Sequence, residues 1–434
     1  MKTLAALLLT LTASAMSAQG VSRPIALGEA LARGRSNGVQ AALARLSAQG
    51  TLLRRQELGA ARLPQLDGSA SMQRQTVNLH EFGLSFEGLP AVTDPFTLFR
   101  ARLGATQVLF DRAIADRLRT AKDTAIAAGL DAERAGELAS TLAGAAWLRL
   151  AGAQETVLAR EADSVTAFAL RDIGQAQVNA GTAPRIDATR GLNRAAAVRL
   201  QIAVAHNERD RAQLDLARAI DIAPGTPLVV AADIAFVSDT MPRNVEAAVA
   251  MAKEHRLDLA AERQRQVVLE RSLAAIRSEY IPTVAAGGYV QTSGGKGLND
   301  LAGSWNIGLG LSWSIFDGFR RARRVDEQRL RIDAGKLRLH DLEAQIEADV
   351  REAALDVASG RDRIALANDQ VRLAEQEVAE ARERFAAGVT GSVETTNAQA
   401  ELAAARDALI QARLSAGAAQ INAARALGLL NQVH

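Results

Sequence analysis

The sequence predicts a mixed fold, in which long antiparallel α-helical coiled-coil hairpins alternate with transmembrane β-strands, four per chain, arranged as two structural repeats. Three observations predict it. First, the chain repeats itself. Asp111, closing Val108-Leu109-Phe110-Asp111, lies 206 residues before Asp317 in Ser314-Ile315-Phe316-Asp317-Gly318, while Gly181 and Arg218 lie 207 residues before Gly388 and Arg425 in matching tripeptides. A repeat of that length is a half-molecule, not a short solenoid unit. Second, of 15 aromatic residues, 11 fall between Phe82 and Phe110 or between Tyr280 and Phe319. Third, each aromatic window is followed by a long stretch rich in Ala, Arg and Glu, and after Asp317 no proline appears. These are two environments in one chain.

The first residues set the compartment. Met1-Lys2-Thr3, the apolar run Leu4 to Leu9, and small residues at Ala13-Ser14-Ala15 or Met16-Ser17-Ala18 read as a cleaved export signal over residues 1–18. No later run approaches the roughly 18 apolar residues of a membrane-spanning helix, which leaves an exported protein that is either soluble or a β-barrel. Cysteine is absent, so disulfides, thiolate chemistry and an N-terminal lipid attachment site are not expected. With 51 basic and 49 acidic residues, nothing argues for nucleic acid as a partner.

Ser304 to Phe316 alternates strictly: Trp305, Ile307, Leu309, Leu311, Trp313 and Ile315 share one face, against Asn306, Gly308, Gly310, Ser312 and Ser314. The length suits a tilted strand crossing a bilayer, and Trp near both ends suits an interfacial girdle, although a half-buried strand of a soluble sheet has the same period. Phe99 to Phe110 is the counterpart in the first repeat, with Phe99, Leu103 and Leu109 on the equivalent face. Gln65 to Val77 and Ile281 to Gln291 supply one preceding strand each, joined through the Gly-, Pro-, Asp- and Asn-bearing loops Asn78 to Thr97 and Thr292 to Gly303. Four strands cannot close in lipid, where each unsatisfied backbone group costs several kcal/mol. Further copies must cover the edges. Barrels have roughly 8 or more strands, so two copies are the minimum and three give 12.

From Asp317 to Gly388 the stretch is long enough for a helix of about 100 Å. Val350, Val357, Ile364, Val371, Val378 and Phe385 recur every seven residues, each followed three residues later by Ala353, Gly360, Ala367, Ala374, Ala381 and Gly388. That is an a/d seam with large residues at one position and small ones at the other, so that helices approach closely. Val325, Ile332, Leu339 and Ile346 form an earlier seam offset by a four-residue stutter. The first copy keeps Ala146, Leu150, Ala153 and Val157, then meets Arg160, Ser164 and Arg171 at seam positions, which fit solvated cavities, register devices or pore-facing sites. Returning helices are expected from Arg185 to about Ile220 and from Ser392 to about Leu427, and shorter ones from about Ile25 to Ala60 and Asn244 to Ser278. The repeats thus span 19–221 and 244–434, with a Pro-bearing linker at 222–243 that has room for a small strand or side helix.

No catalytic constellation stands out. The five histidines are isolated, so no metal site is expected; Gly294-Gly295-Lys296-Gly297 lacks the rest of a phosphate loop, and Gly83-Leu84-Ser85-Phe86-Glu87 lacks the second glycine of a nucleophile elbow. No cofactor and no enzymatic activity are expected.

Three motifs complete the pattern: Phe316-Asp317-Gly318-Phe319-Arg320-Arg321 at a strand-to-helix junction, and Ala180-Gly181-Thr182-Ala183-Pro184-Arg185-Ile186-Asp187 and Ala387-Gly388-Val389-Thr390-Gly391-Ser392-Val393-Glu394 at helix-turn-helix tips. In this order and in duplicate, they make the chain resemble the TolC-like outer-membrane efflux protein family. The resemblance implies a homotrimer whose 12-stranded barrel contacts outer-membrane lipid and whose helical tube crosses the periplasm. It implies an exit duct of a tripartite efflux pump or type I secretion system, conducting passively, with its tips facing a periplasmic adaptor and an inner-membrane pump. On this resemblance Gly181, Thr182, Gly388, Val389 and Thr390 would dock the adaptor, and Asp187 and Glu394 would narrow the periplasmic entrance. Arg190 and Asn397 stand where relatives often carry a second acid. Blander roles also fit: glycine is the ordinary residue ending a helix, and an acid suits the first turn of the next. A pore-free periplasmic coiled-coil adaptor or scaffold is the alternative; it explains the heptads but not the aromatic strands.

Overall fold

A computed structural model describes residues 23–83, 90–230, 241–242, 244–294 and 302–432. The expected export signal lies outside these residues, as do most of the linker beyond Val230 and the Gly295-Lys296-Gly297 segment. In chain order the elements are β1 (Arg23–Ile25), α1 (Leu27–Asn37), α2 (Val39–Ala60), β2 (Gln65–Gln75), a 3-10 turn at Leu79–Phe82, β3 (Phe96–Phe110), α3 (Arg112–Asn179), α4 (Arg185–Ala219), β4 (Leu228–Val230), α5 (Val245–His255), α6 (Leu257–Ser278), β5 (Thr283–Gly294), β6 (Ala302–Ser312), α7 (Arg320–Ala386) and α8 (Ser392–Ala426), then a last 3-10 turn at Leu430–Gln432. The described chain is mostly helical, and none of its helices is long and apolar enough to cross a membrane.

Two expected helices are each two. The first breaks at Gly38, whose ψ of 130° leaves the helical region, and Ile25 falls in β1 instead. The second breaks at Arg256, ψ 121°, a buried residue whose guanidinium is bonded to Asp258 at 2.6 Å. The linker does hold a small strand: β4 pairs in parallel with β1, Arg23 opposite Leu228 and Ile25 opposite Val230.

Contacts divide the chain into two compact units, and each draws on both halves of the sequence. One unit joins residues 43–134 with 256–346 and contains the antiparallel sheet β2-β3-β5-β6, with β2 and β6 as its edges. Pro64 and Pro282, which lack an N–H, stand just ahead of β2 and β5, where a strand tolerates proline. The helices of this unit pack through small residues and amides. Gln328 donates to the Leu269 carbonyl at 2.9 Å, and a Cβ at Gly335 would meet the Gln266 side chain at 2.3 Å. The early α7 seam is as expected, with Ile332 and Ile346 buried and Val325 and Leu339 half-buried.

The other unit holds the described residues within 23–42, 135–255 and 347–432. Its largest core gathers Ile25, Trp147, Leu150, Leu216, Ile220, Leu228, Ile421 and Leu430 around β1 and β4. Trp147 donates its indole N–H to the Ile25 carbonyl at 2.8 Å, and Ser140 donates to the Leu31 carbonyl at 2.9 Å. The α7 seam follows the sequence pattern closely: Val350, Ala353, Gly360, Ala367, Ala374, Ala381 and Phe385 are buried, and Val357, Ile364, Val371 and Val378 are half-buried. α8 is the partner. A Cβ at Gly360 would approach Ala416 at 3.1 Å, and Ala374 clusters with Leu402 and Ala405.

The α3 seam runs differently from the expected line. Asp163, Ala167, Leu170 and Gly174 are buried, whereas Ser164 and Arg171 are half-buried. Charge pairing makes this route possible. Arg160 reaches Asp163 at 3.1 Å and Asp407 at 2.5 Å, and Arg406 reaches Asp163 at 2.6 Å and Glu375 at 3.2 Å. Arg160 is therefore neither a solvated gap nor a free pore-facing cation. Burial alone would lower the Arg160 pKa, but its bonds to Asp407 and Asp163 hold it above the usual arginine value.

Candidate functional site

The sheet has two chemically distinct faces. Partners across antiparallel strands share a face, and the register aligns Gly68, Leu103, Val290 and Trp305, then Leu66, Ala105, Gly288 and Ile307. Leu309 follows with Ala286, and Leu311 with Val284 and Phe110. On this face Trp305, Ile307, Leu309 and Leu311 are 75%, 77%, 76% and 69% exposed, and Leu66 and Met72 match them at 75% and 76%. A contiguous apolar surface of this size is costly in water. The other face carries Asp67, Ser69, Ser71, Arg100, Arg102, Thr106, Tyr289, Gln291, Asn306 and small residues, with Phe96, Leu98 and Val108 from β3.

Two details depart from the alternating pattern. Trp313 and Ile315 are exposed at 55% and 76% but lie beyond β6, which ends where Ser312 pairs with Thr283. The next partner would be Pro282, which has no N–H to give to a ladder. Trp313 instead donates its indole N–H to the Tyr280 carbonyl at 3.0 Å. In the first repeat, Phe110 rather than Leu109 completes the apolar face, because a bulge between Val108 and Phe110 inserts one unpaired residue and reverses the alternation.

The Phe-Asp-Gly motif closes the sheet onto α7. Gly318 and Phe319 both have positive φ, 68° and 65°, and Phe319 stacks edge-on against Phe316 at 5.5 Å between ring centroids. Asp317 accepts from the Arg321 backbone N–H at 3.1 Å and from its Nε at 2.7 Å. The buried Arg321 guanidinium also donates to the carbonyls of Glu279 and Ser314 and lies 4.4 Å from the centre of the Tyr280 ring. Nearby, Glu279 is gripped by Arg117 at 2.6 Å and Arg324 at 2.5 Å, and Asp116 by Ser278 at 2.6 Å, Arg119 at 2.8 Å and Arg112 at 3.0 Å. Burial pushes these carboxyl pKa values up, but the hydrogen bonds from Arg324, Arg117, Ser278 and Arg112 outweigh it, so both acids sit below their ordinary range. The stability they contribute is therefore present above the ordinary carboxylate range and is lost as pH falls through the depressed values.

Both hairpin turns are the same Schellman closure. Gly181, φ 75°, donates to the Val178 carbonyl and Thr182 to that of Gln177; Gly388, φ 70°, donates to Phe385 and Val389 to Arg384. A Cβ at either glycine would meet nothing within 4 Å, so only backbone handedness calls for glycine there. The repeat-related acids differ. Asp187 is buried, accepts from the Ser392 hydroxyl and lies 3.6 Å from Arg190, whereas Glu394 is half-buried and pairs with Arg384 at 3.3 Å. Gln177 donates to the Phe385 carbonyl at 2.8 Å, a second tie between the two hairpins that the sequence does not announce. Val389 is 70% exposed, and the buried Thr390 hydroxyl has no hydrogen-bond partner.

Among the described residues no group of three or more His, Asp or Glu is placed to hold a metal. No curated protein sequence matches the chain. Residues 248–429 match the family model of the outer membrane efflux protein. Among solved structures, the chain is similar to the CmeC outer membrane channel of Campylobacter jejuni, with TM-score 0.79 and 16% identity over 93% of this chain and 86% of that one. It is likewise similar to the open-state MtrE outer membrane channel of Neisseria gonorrhoeae, with TM-score 0.75 and 18% identity over 93% and 89%. The outer membrane protein VceC of Vibrio cholerae gives 0.73 and 16% over 93% and 96%. Residues 248–429 thus resemble the outer membrane efflux protein family, and over 93% of its length the chain has the fold of solved outer-membrane channels.

Proposed function

We propose that this protein is the outer-membrane exit duct of a tripartite efflux pump or type I secretion system, passing solutes without chemistry of its own. The carrying observation is the four-stranded sheet with one exposed apolar face, one polar face and two open edges. In lipid those edges need partners. Three chains would supply a closed barrel of 12 strands, with Trp305, Ile307, Leu309 and Leu311 toward lipid and a polar lumen. The two repeats, 19–221 and 244–434, would each give one strand pair and one helical hairpin, and the export signal at 1–18 would deliver the chain to the envelope. A pore-free adaptor has no use for the apolar sheet face, and the family match speaks against it.

Purified protein in planar lipid bilayers is expected to give stepwise single-channel conductance. A monomer that stays soluble without detergent and conducts nothing would overturn the reading.

The tips Gly181, Thr182, Gly388, Val389 and Thr390 are assigned to docking a periplasmic adaptor and its inner-membrane pump, and Asp187 and Glu394 to the entrance. Exposure of Val389 at a turn closed by its own backbone bonds supports the first assignment. Val389→Glu leaves that turn unstrained and places a charge on the docking face. Export by intact cells is expected to fall severalfold while the amount of protein in the outer membrane stays the same; unimpaired export would remove the docking role.

A further inference from the structure

Arg100 and Arg102 lie on the polar face of the sheet, and both are exposed. Register places Arg102 in one row with Ser69, Gln291 and Ser304, and Arg100 in the next with Ser71, Ser293 and Ala302. These rows are at the end of the sheet nearest the β2–β3 and β5–β6 loops. The guanidinium of Arg102 lies 3.8 Å from the centre of the Tyr289 ring, which holds it down over the sheet. No carboxylate among the described residues pairs with either arginine. The single acid on this face of the described strands is Asp67, opposite Gly104. Hydroxyl and amide donors flanking two uncompensated guanidiniums form a surface that favours anions.

We infer that Arg100 and Arg102 make the outer end of the lumen anion-selective, so that the duct favours solutes carrying carboxylate or phosphate groups. The inference rests on the channel reading. In a barrel the polar face lines the lumen, and chains assembled around one pore place every copy of the pair within it. Confined between low-dielectric walls, a ring of like charge concentrates counter-ions and sets which ions pass.

The test is the reversal potential of single channels in planar bilayers under a potassium chloride gradient. Arg100→Gln/Arg102→Gln is expected to lower the chloride-to-potassium permeability ratio severalfold. Arg100→Lys/Arg102→Lys, which keeps the charge, is expected to hold the ratio, as is Arg74→Gln on the apolar face. If the double variant does not assemble, Arg100→Gln alone is expected to shift the ratio in the same direction. Variant channels with the wild-type ratio would overturn the inference and leave the channel reading intact; wild-type protein that forms no channel would remove both.

Discussion

Ile307→Arg is expected to eliminate the protein from the outer-membrane fraction. Ile307 occupies the middle of β6, 77% exposed, in one row with Gly288, Ala105 and Leu66, none of which offers a charge partner. Moving an arginine into the centre of the hydrocarbon costs about 2–4 kcal/mol per site, and assembly repeats the cost in every chain. Asn306→Arg, one residue away on the polar face, is the matched control and is expected to accumulate normally. Fractionation of cells followed by immunoblotting reads both. Wild-type amounts of Ile307→Arg in the outer membrane would mean that this face does not meet lipid.

The second large effect is expected in the other unit. Trp147 is 3% exposed, and its indole N–H satisfies the Ile25 carbonyl of β1 at 2.8 Å. Trp147→Ala removes the largest side chain of that core and costs about 3–5 kcal/mol. Trp147→Phe keeps most of the ring volume and forfeits the hydrogen bond, costing about 1 kcal/mol plus whatever repacking requires. Thermal unfolding in detergent, followed by circular dichroism, should rank wild type above Phe and Phe well above Ala. An Ala variant melting with wild type would show that this core does not limit stability.

The strands and seams differ in how far sequence alone revealed them. Residues Trp305 to Leu311 alternate without interruption, so period two identified both faces of β6 directly. The end of that strand was not legible, because it depends on Pro282 opposite, and neither was the bulge before Phe110, which exists only as a pairing relation. The α7 seam was legible because its small residues meet α8 within the same hairpin, as Gly360 meets Ala416. The α3 route was hidden: Arg160 read as an interruption, and the burial of Asp163 beside it depends on Arg406 and Asp407, more than 240 residues onward. Neither helix break was read from the sequence: the one at Gly38 is a turn of its backbone out of the helical region, and the one at Arg256 accompanies burial of a cation beside Asp258. At the tips the two glycines announced the turns, but nothing local distinguished the buried Asp187 from the half-buried Glu394, since Ser392 lies 205 residues away from the first.

The alanine-lined seam between α7 and α8 also sets how that hairpin yields. An alanine rung withdraws little more than a methyl group from water, on the order of 1 kcal/mol, so cohesion is spread thinly along the whole length. A structure held this way behaves as a fastener drawn from one end, giving way rung by rung while the rest stays shut. Near the tip Phe385, 3% exposed, ties α7 to α3 instead, lying beside Gly174 with its carbonyl held by Gln177. It is a clasp between the two hairpins, not a rung of the fastener.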